Sequence, residues 1–364
     1  MLIDIIAGAR PNFMKIAPII RAIEEENKKE TNINFRLIHT GQHFDKNMSG
    51  DFFDQLGIPE PHINLESGGG SQAEQTANIM VRFEKDLIEH PADLVLVVGD
   101  VTSTMACTIV AKKLNTKVAH VEAGIRSGDM TMPEEINRIV TDSITDYFFT
   151  TSDVAGNNLI KNGVEEERIF FVGNTMIDTL LKCQGSFKQP AIWDLLALQK
   201  GKYLMMTLHR PANVDSEENL RSLLEEIVEN SHGYPLIFPV HPRTAKKLSS
   251  LGLKFENVHY VDPLGYLEFN YLVKHCLAVI TDSGGITEET TVLGIPCMTL
   301  RDSTERPETC TIGSNELLGT NPKALAPAMQ RLFNGQWKKS GIPPLWDGRA
   351  AERIIKEICT LYKV

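Results

Sequence analysis

Short, near-continuous apolar runs alternate with amphipathic stretches along most of this chain, and few folds accept that pattern. The apolar runs cover Leu2–Ala7, Phe35–Thr40, Leu94–Val98, Lys117–Val121, Tyr147–Thr150 and Ile169–Val172. Between them, helical periodicity covers Met14–Asn27, Glu74–Glu89, Thr104–Leu114, Pro133–Ile144 and Asp153–Lys161. A strand that is apolar on both faces must be covered on both, so the alternation predicts a parallel sheet between two helical layers. Gln, Gly, Ser, Lys and Pro interrupt the rhythm at Cys183–Pro190. It then resumes, with strands predicted at Tyr203–Thr207, Leu236–Val240, Val258–Val261, Leu277–Thr281 and Cys297–Leu300. Helices are predicted there at Ser216–Asn230, Thr244–Leu251, Tyr266–His275, Ile286–Leu293 and Lys323–Leu332.

A chain of 364 residues exceeds one comfortable core. The expected class is therefore α/β, with two Rossmann-like doubly wound parallel-sheet domains facing across a cleft. Residues 1–175 form the first and residues 176–348 the second, and a last helix over residues 349–364 packs back on the first. In open parallel sheets a ligand binds outside the carboxyl ends of the strands. The residues that follow each strand are therefore the ones to read for function.

Composition excludes some roles. The formal net charge is −10, which argues against a general nucleic-acid binder yet allows a few focused cations to hold one phosphate ligand. The six cysteines contain no C-x-x-C pair, so neither a metal site nor a disulfide framework is expected. The first residues lack the basic n-region of a signal peptide, and no apolar stretch approaches the ~20 residues of a membrane helix. Neither a membrane nor a nucleic acid is expected as a partner, and the expected location is the cytoplasm.

Two kinds of chemistry follow the strands. Gly8-Ala9-Arg10-Pro11-Asn12-Phe13-Met14-Lys15 is a glycine turn feeding a helix, with cations suited to an anion at the free helix N–H groups. Asp100 follows the third strand, where a plain helix cap would explain it equally well. Glu122 comes straight after the fourth strand, in His120-Val121-Glu122-Ala123-Gly124, which packing explains poorly. Glu134 lies in Pro133-Glu134-Glu135, ordinary helix-start chemistry when taken alone. Together, Asp100, Glu122 and Glu134 converge at one sheet edge. Crowded carboxylates repel, so one should retain its proton, leaving an acid and a base.

The second half carries anion-binding signals. Thr281-Asp282-Ser283-Gly284-Gly285 leads into a helix, and its glycines allow a pyrophosphate to approach the backbone. Glu289 is spaced to accept both ribose hydroxyls, and Arg301 to Glu308 adds guanidinium groups. His209-Arg210 and His241-Pro242-Arg243 also follow strands directly. Acids in one half and phosphate-type groups in the other fit a ligand with a diphosphate at one end and a reacting sugar at the other.

These segments, in this order, resemble the non-hydrolysing UDP-N-acetylglucosamine 2-epimerases, which have the two-domain GT-B architecture. The resemblance rests on Gly8–Lys15, Thr40-Gly41-Gln42-His43, Gly99–Thr104, His120–Arg126, Pro133–Arg138, Gly173-Asn174-Thr175, His209-Arg210, Thr281–Glu289 and Arg301–Glu308. It implies reversible conversion of UDP-N-acetylglucosamine to UDP-N-acetylmannosamine, through elimination of UDP, a bound 2-acetamidoglucal and re-addition. The product would supply surface polysaccharide synthesis. Matched by motif, Asp100, Glu122, Glu134 and His209 are catalytic. Arg10, Lys15, His241, Phe269, Ser283, Gly284, Gly285, Glu289 and Arg306 bind the substrate, with Phe269 beside the uracil. Gln42, His43 and Arg210 mark a possible second, allosteric site. Ala212 stands where many bacterial members have the Glu of that site, and Asp45 and the Gly68–Gln75 stretch also depart from the pattern there. The resemblance implies no cofactor, no metal and a homodimer. Two alternatives stay open: the same chemistry on a diacetamido uronic acid or 6-deoxy UDP-sugar, or hydrolysis that releases UDP and N-acetylmannosamine. A glycosyltransferase or a nucleotide-sugar sensor on the same scaffold would be further from this set of acids.

Overall fold

The computed structural model describes residues 1–29, 31–41, 53, 55–240, 248, 252 and 255–364. The chain divides into two compact units, Met1–Lys182 with Pro344–Val364, and Cys183–Pro343.

The first unit holds strands β1 (Leu2–Ala7), β2 (Asn34–His39), β3 (Ile63–Asn64), β4 (Leu94–Val98), β5 (Lys117–Val121), β6 (Tyr147–Thr150) and β7 (Ile169–Phe171). They form one parallel sheet in the order β3-β2-β1-β4-β5-β6-β7. Its described helices are α1 (Arg10–Asn27), α2 (Gln72–Glu89), α3 (Thr102–Lys113), α4 (Pro133–Ile144), α5 (Asp153–Lys161) and α6 (Thr175–Cys183). One face of the sheet buries Ile6, Ile38, Val95 and Val97 against Ile79, Phe83 and Val110 of α2 and α3. Fully burying a side chain such as Phe83 contributes about 1.5–3 kcal/mol. The β3 strand carries no apolar run, and sequence periodicity does not announce it.

The second unit begins with α7 (Ala191–Leu195), followed by strands β8 (Leu204–Thr207), β9 (Leu236–Pro239), β10 (Val258–Val261), β11 (Ala278–Thr281), β12 (Cys297–Thr299) and β13 (Asn315–Leu317). They form a second parallel sheet in the order β10-β9-β8-β11-β12-β13. The remaining helices here are α8 (Pro211–Val214), α9 (Glu217–Asn230), α10 (Tyr266–His275), α11 (Gly284–Leu293), α12 (Pro307–Thr311) and α13 (Leu325–Phe333). One face of this sheet packs on α9 and α13, and the other on α7 and α10. Both sheets therefore reverse their strand order between the first and fourth strand of the unit, which is where such sheets bind ligands.

The units part after Lys182, where the compositional interruption at Cys183–Pro190 begins, and before Pro344, whereas the expected domain bounds are 175/176 and 348/349. The reason is α6, which the apolar pattern does not show. The Thr179 hydroxyl donates to the Met14 carbonyl at 2.6 Å, and the Asp178 carboxylate accepts the Ala350 and Ala351 amides at 3.1 and 2.7 Å. Those two amides open the last helix, α14 (Ala350–Tyr362), which packs against α1. Among the described residues no helix is long and apolar enough to cross a membrane.

Candidate active site

The first unit builds its site at the strand reversal. Asn12 locks the turn after β1: its Oδ1 accepts the Gly8 and Ala9 amides, each at 3.0 Å, and its Nδ2 donates to the Val98 carbonyl at 3.1 Å. The approach is close enough to demand glycine, since a Cβ on Gly8 would lie 2.0 Å from Ser103 Oγ. Arg10, on the first turn of α1, stays exposed.

Asp100 does not cap the following helix. The cap position is Val101, and the carboxylate turns to Arg138, whose Nε and Nη2 donate to Oδ2 at 3.0 and 2.5 Å. Asn137 adds a bond to the Asp100 carbonyl at 2.9 Å. Arg138 is anchored in turn by Glu135 at 2.7 Å. Burial opposes ionisation of Glu135, but the Ser127 and Gly128 amides and Arg138 outweigh it and hold the carboxyl below its usual range. Glu134, the neighbour, is half-buried and has no hydrogen-bond or ion-pair partner among the described residues.

Glu122 sits at φ 73, a left-handed conformation that costs a non-glycine residue on the order of 1–3 kcal/mol. Its amide and that of Ala123 both reach the Phe149 carbonyl, at 2.9 and 3.1 Å, which holds the strain in place. Its carboxylate meets Lys15 Nζ at 2.6 Å, and both side chains are buried. The same ammonium lies against Gly99, where an added Cβ would stand 2.8 Å away. Lys15 thus joins Glu122 to the Asp100 turn, and Arg138 joins that turn to the start of α4. Asp100 and Glu122 stand at one edge of the sheet, and Glu134 lies in the first turn of α4, the helix whose Arg138 holds Asp100.

One sequence expectation changes here: the charge crowding expected among the acids is offset, because Asp100 and Glu122 each have a buried cation. Lys15, expected to bind the substrate, is paired with Glu122. Beneath the turn, His120 Nδ1 lies 2.7 Å from Asp142 Oδ1 and Nε2 lies 2.8 Å from the Gly99 carbonyl. Both nitrogens face acceptors, so the ring satisfies both only when each carries a hydrogen. Asp142 also takes Arg126 at 2.6 Å and the Gly124 amide at 3.1 Å. Burial pushes its carboxyl up, and His120 and Arg126 more than reverse that.

The second unit differs in kind. Ser283 precedes α11 without a side-chain cap, and no acid occupies the first turn. The Gly284 and Gly285 end of the helix therefore presents N–H groups and the positive end of the dipole, as an anion site requires. Glu289 is buried one and a half turns in and accepts the Tyr266 hydroxyl at 2.9 Å. Burial pushes its carboxyl up to about 7 against that hydrogen bond. Phe269 packs at the rim of the core on α10. Arg306, expected to meet a phosphate, is buried with its Nε on Glu288 Oε1, and Arg301 pairs with Glu305 at 2.6 Å. His209 is 56% exposed and contacts Asp282 through Nδ1 at 2.7 Å, while Arg210 Nε donates to the Asp282 carbonyl at 3.1 Å. His241, Gln42 and His43 lie outside the described residues.

Sequence reading passed over Asn12, Arg138, His120, Asp142, Tyr266 and Asp282 as site residues. Only Arg138 left a usable trace, four residues after Glu134 on one helix face. Among the described residues, no group of three or more His, Cys, Asp or Glu side chains is arranged to hold a metal ion.

The family model for UDP-N-acetylglucosamine 2-epimerase matches residues 25–359. The UDP-N-acetylglucosamine 2-epimerase of Methanocaldococcus jannaschii is 41% identical over 369 residues, covering 98% of each chain. This chain belongs to that family. A crystal structure of the M. jannaschii UDP-GlcNAc 2-epimerase in complex with UDP-GlcNAc and UDP matches with a TM-score of 0.88 at 40% identity, over 99% of this chain and 100% of that one. A Pseudomonas aeruginosa relative, UDP-2,3-diacetamido-2,3-dideoxy-D-glucuronate 2-epimerase, is 42% identical over 323 residues, covering 88% of each chain. The family therefore contains relatives of comparable identity that are named for different sugars.

Proposed function

We propose that this protein interconverts UDP-N-acetylglucosamine and UDP-N-acetylmannosamine by eliminating and re-adding UDP. The observation that supports it most is the division of chemistry between two equivalent strand reversals. Asp100, Glu122 and Glu134 stand at one, and an uncapped Ser-Gly-Gly helix start with His209 stands at the other. The carbon to be inverted has no adjacent carbonyl, so departure of UDP must lead and build positive charge on the ring. The C1–O bond breaks with its electron pair leaving on UDP, the C2 proton passes to a carboxylate, and a C1–C2 double bond forms. A proton then returns to the other face of C2, and the UDP oxygen adds back at C1. Carboxylates beside the ring offset its charge and carry the protons, while the amides of α11 and His209 stabilise the departing diphosphate.

Incubation with UDP-N-acetylglucosamine in deuterated water tests this directly by NMR. The expected product is UDP-N-acetylmannosamine with one deuterium at C2. Stoichiometric free N-acetylmannosamine would instead identify a hydrolase. The P. aeruginosa relative supports a second reading, the same inversion on a diacetamido uronic acid, and turnover of that sugar alone would establish it.

A homodimer is part of the proposal. The α4 helix buries Glu135, Asn137, Arg138, Thr141 and Asp142 and leaves Ile136 and Ile139 45% and 38% exposed. Val81 and Ile88 of α2 are 67% and 62% exposed, so this side of the unit carries apolar surface that a second copy would cover. Light scattering should give twice the chain mass, and Ile136→Glu should lower it.

A further inference from the structure

In the second unit β8 and β11 are neighbours, so the residues that follow them face each other across the strand reversal. Asp282, just after β11, has no exposed surface and sits under the turn that follows β8. Its Oδ2 accepts the His209 amide at 3.1 Å, the Arg210 amide at 2.9 Å and Asn213 Nδ2 at 3.0 Å. Its Oδ1 faces the His209 amide at 3.2 Å and His209 Nδ1 at 2.7 Å. The other ring nitrogen, Nε2, has no hydrogen-bond partner among the described residues, and the ring is more exposed than buried. The carboxyl is held low: burial opposes this, but His209, Asn213 and the Arg210 amide prevail.

We propose that Asp282 is a positioning residue for His209: it keeps a hydrogen on Nδ1 and presents Nε2 outward as the nitrogen that exchanges a proton with the ligand. An ionised carboxylate only accepts, so a 2.7 Å contact leaves Nδ1 as the donor and the lone pair of the neutral ring on Nε2. A buried carboxylate that fixes a tautomer in this way is a general device of histidine acid–base sites. The role in turnover rests on the epimerase reading above, whereas the tautomer does not.

The rival role is that Asp282 merely ties the turn together, and Asp282→Asn separates the two. Three N–H donors converge on Oδ2. The amide oxygen of the variant must serve them, which points its NH2 at His209 Nδ1 and makes that nitrogen an acceptor. The turn survives and the ring hydrogen moves to Nε2.

Long-range proton–nitrogen NMR of the full chain with 15N-labelled histidine, without ligand and at a pH where the ring is neutral, reads this shift. His209 is assigned by its loss in His209→Asn. The wild-type protein is expected to carry the hydrogen on Nδ1, and Asp282→Asn to carry it on Nε2. A wild-type ring protonated at Nε2 overturns the proposal whether or not the variant folds. In the epimerase assay, Asp282→Asn is expected to lower kcat by about 10²-fold with KM within about threefold. Added to His209→Asn, it should cost nothing further, because it acts through a ring that is no longer present. An equal further loss in that background would assign Asp282 to the turn and sink the inference. If the tautomers come out as expected and no UDP-sugar is inverted, the positioning stands and the epimerase reading fails.

Discussion

The two units use one strand order for opposite purposes. In each, the turn after the first strand is tied to the neighbouring reversal strand by a buried polar side chain, Asn12 in the first and Asp282 in the second. The first unit then spends its cations internally, with Lys15 on Glu122 and Arg138 on Asp100, and offers carboxylates. The second also buries guanidinium groups, Arg306 on Glu288 and Arg301 on Glu305, but at its strand reversal it presents backbone N–H groups and the exposed His209. Topology therefore places a strand reversal in each unit, and a handful of side chains decides what chemistry each presents.

The strongest way to break this contrast is to remove charge from the first unit alone. Asp100→Asn keeps the shape and leaves Arg138 its bond to Glu135. It should lower kcat by about 10³-fold, as loss of an acid–base group does. UDP affinity, measured by calorimetry, should stay within about threefold, because the groups assigned to the diphosphate lie on the other unit. Collapse of UDP binding would mean that the two halves do not divide the work.

The next effect concerns the scaffold of the same turn. Gly8→Ala would bring a methyl to 2.0 Å from Ser103 Oγ and 2.6 Å from Thr40 Oγ1, two hydroxyls that are themselves bonded at 2.6 Å. Neither hydroxyl can retreat without breaking that bond. A destabilisation on the order of 3 kcal/mol is expected in chemical denaturation. A neutral result would show that β1 and α3 approach less closely than described.

How much of this was legible beforehand follows the range of the interactions. Runs such as Leu94–Val98 and Ala278–Thr281 carry their strand character locally, whereas β3 and β13 have two and three residues and owe their pairing to neighbouring strands. Glu122 stands out because a charge directly after an apolar strand has no packing reason to be there, whereas Asp100 and Glu134 stand out only in its company. Their cations did not, because Lys15 lies 107 positions from Glu122 and Arg138 lies 38 from Asp100, and only the fold decides which meet. Asp282 lay inside a motif read for its glycines, and nothing local reveals that it turns back beneath a histidine 73 positions earlier.

A pH experiment sharpens the contrast from the second unit. Burial lifts Glu289 from 4.5 to about 7, so the folded protein favours its neutral form. A carboxyl raised in the folded state contributes stability that is complete below its unfolded pKa and is lost as pH rises through the folded one. The window is therefore pH 4.5 to about 7, and the loss across it is on the order of 1–3 kcal/mol. Glu289→Gln keeps a neutral group of the same size and should remove that part of the slope in denaturation midpoints taken at pH 5 and pH 8. An unchanged slope would mean that Glu289 is ionised throughout, with Tyr266 as a sufficient donor.

The smallest expected difference compares the two buried asparagines. Asn12 uses all it has: Oδ1 takes two amides and Nδ2 reaches the Val98 carbonyl. Asn213 uses only Nδ2, which reaches Asp282 Oδ2 and the Leu300 carbonyl, and its Oδ1 is buried with no partner. Truncating Asn12 to alanine leaves two amides without an acceptor and should cost about 2 kcal/mol, since stranding a buried polar group costs about 1–3. Truncating Asn213 removes one unsatisfied atom along with the donor, and the Asp282 oxygen retains two backbone amides. About 1 kcal/mol is expected there. Equal losses in the two alanine variants would show that Asn213 Oδ1 finds a partner in solution, and that the turns of the two units are tied with the same strength.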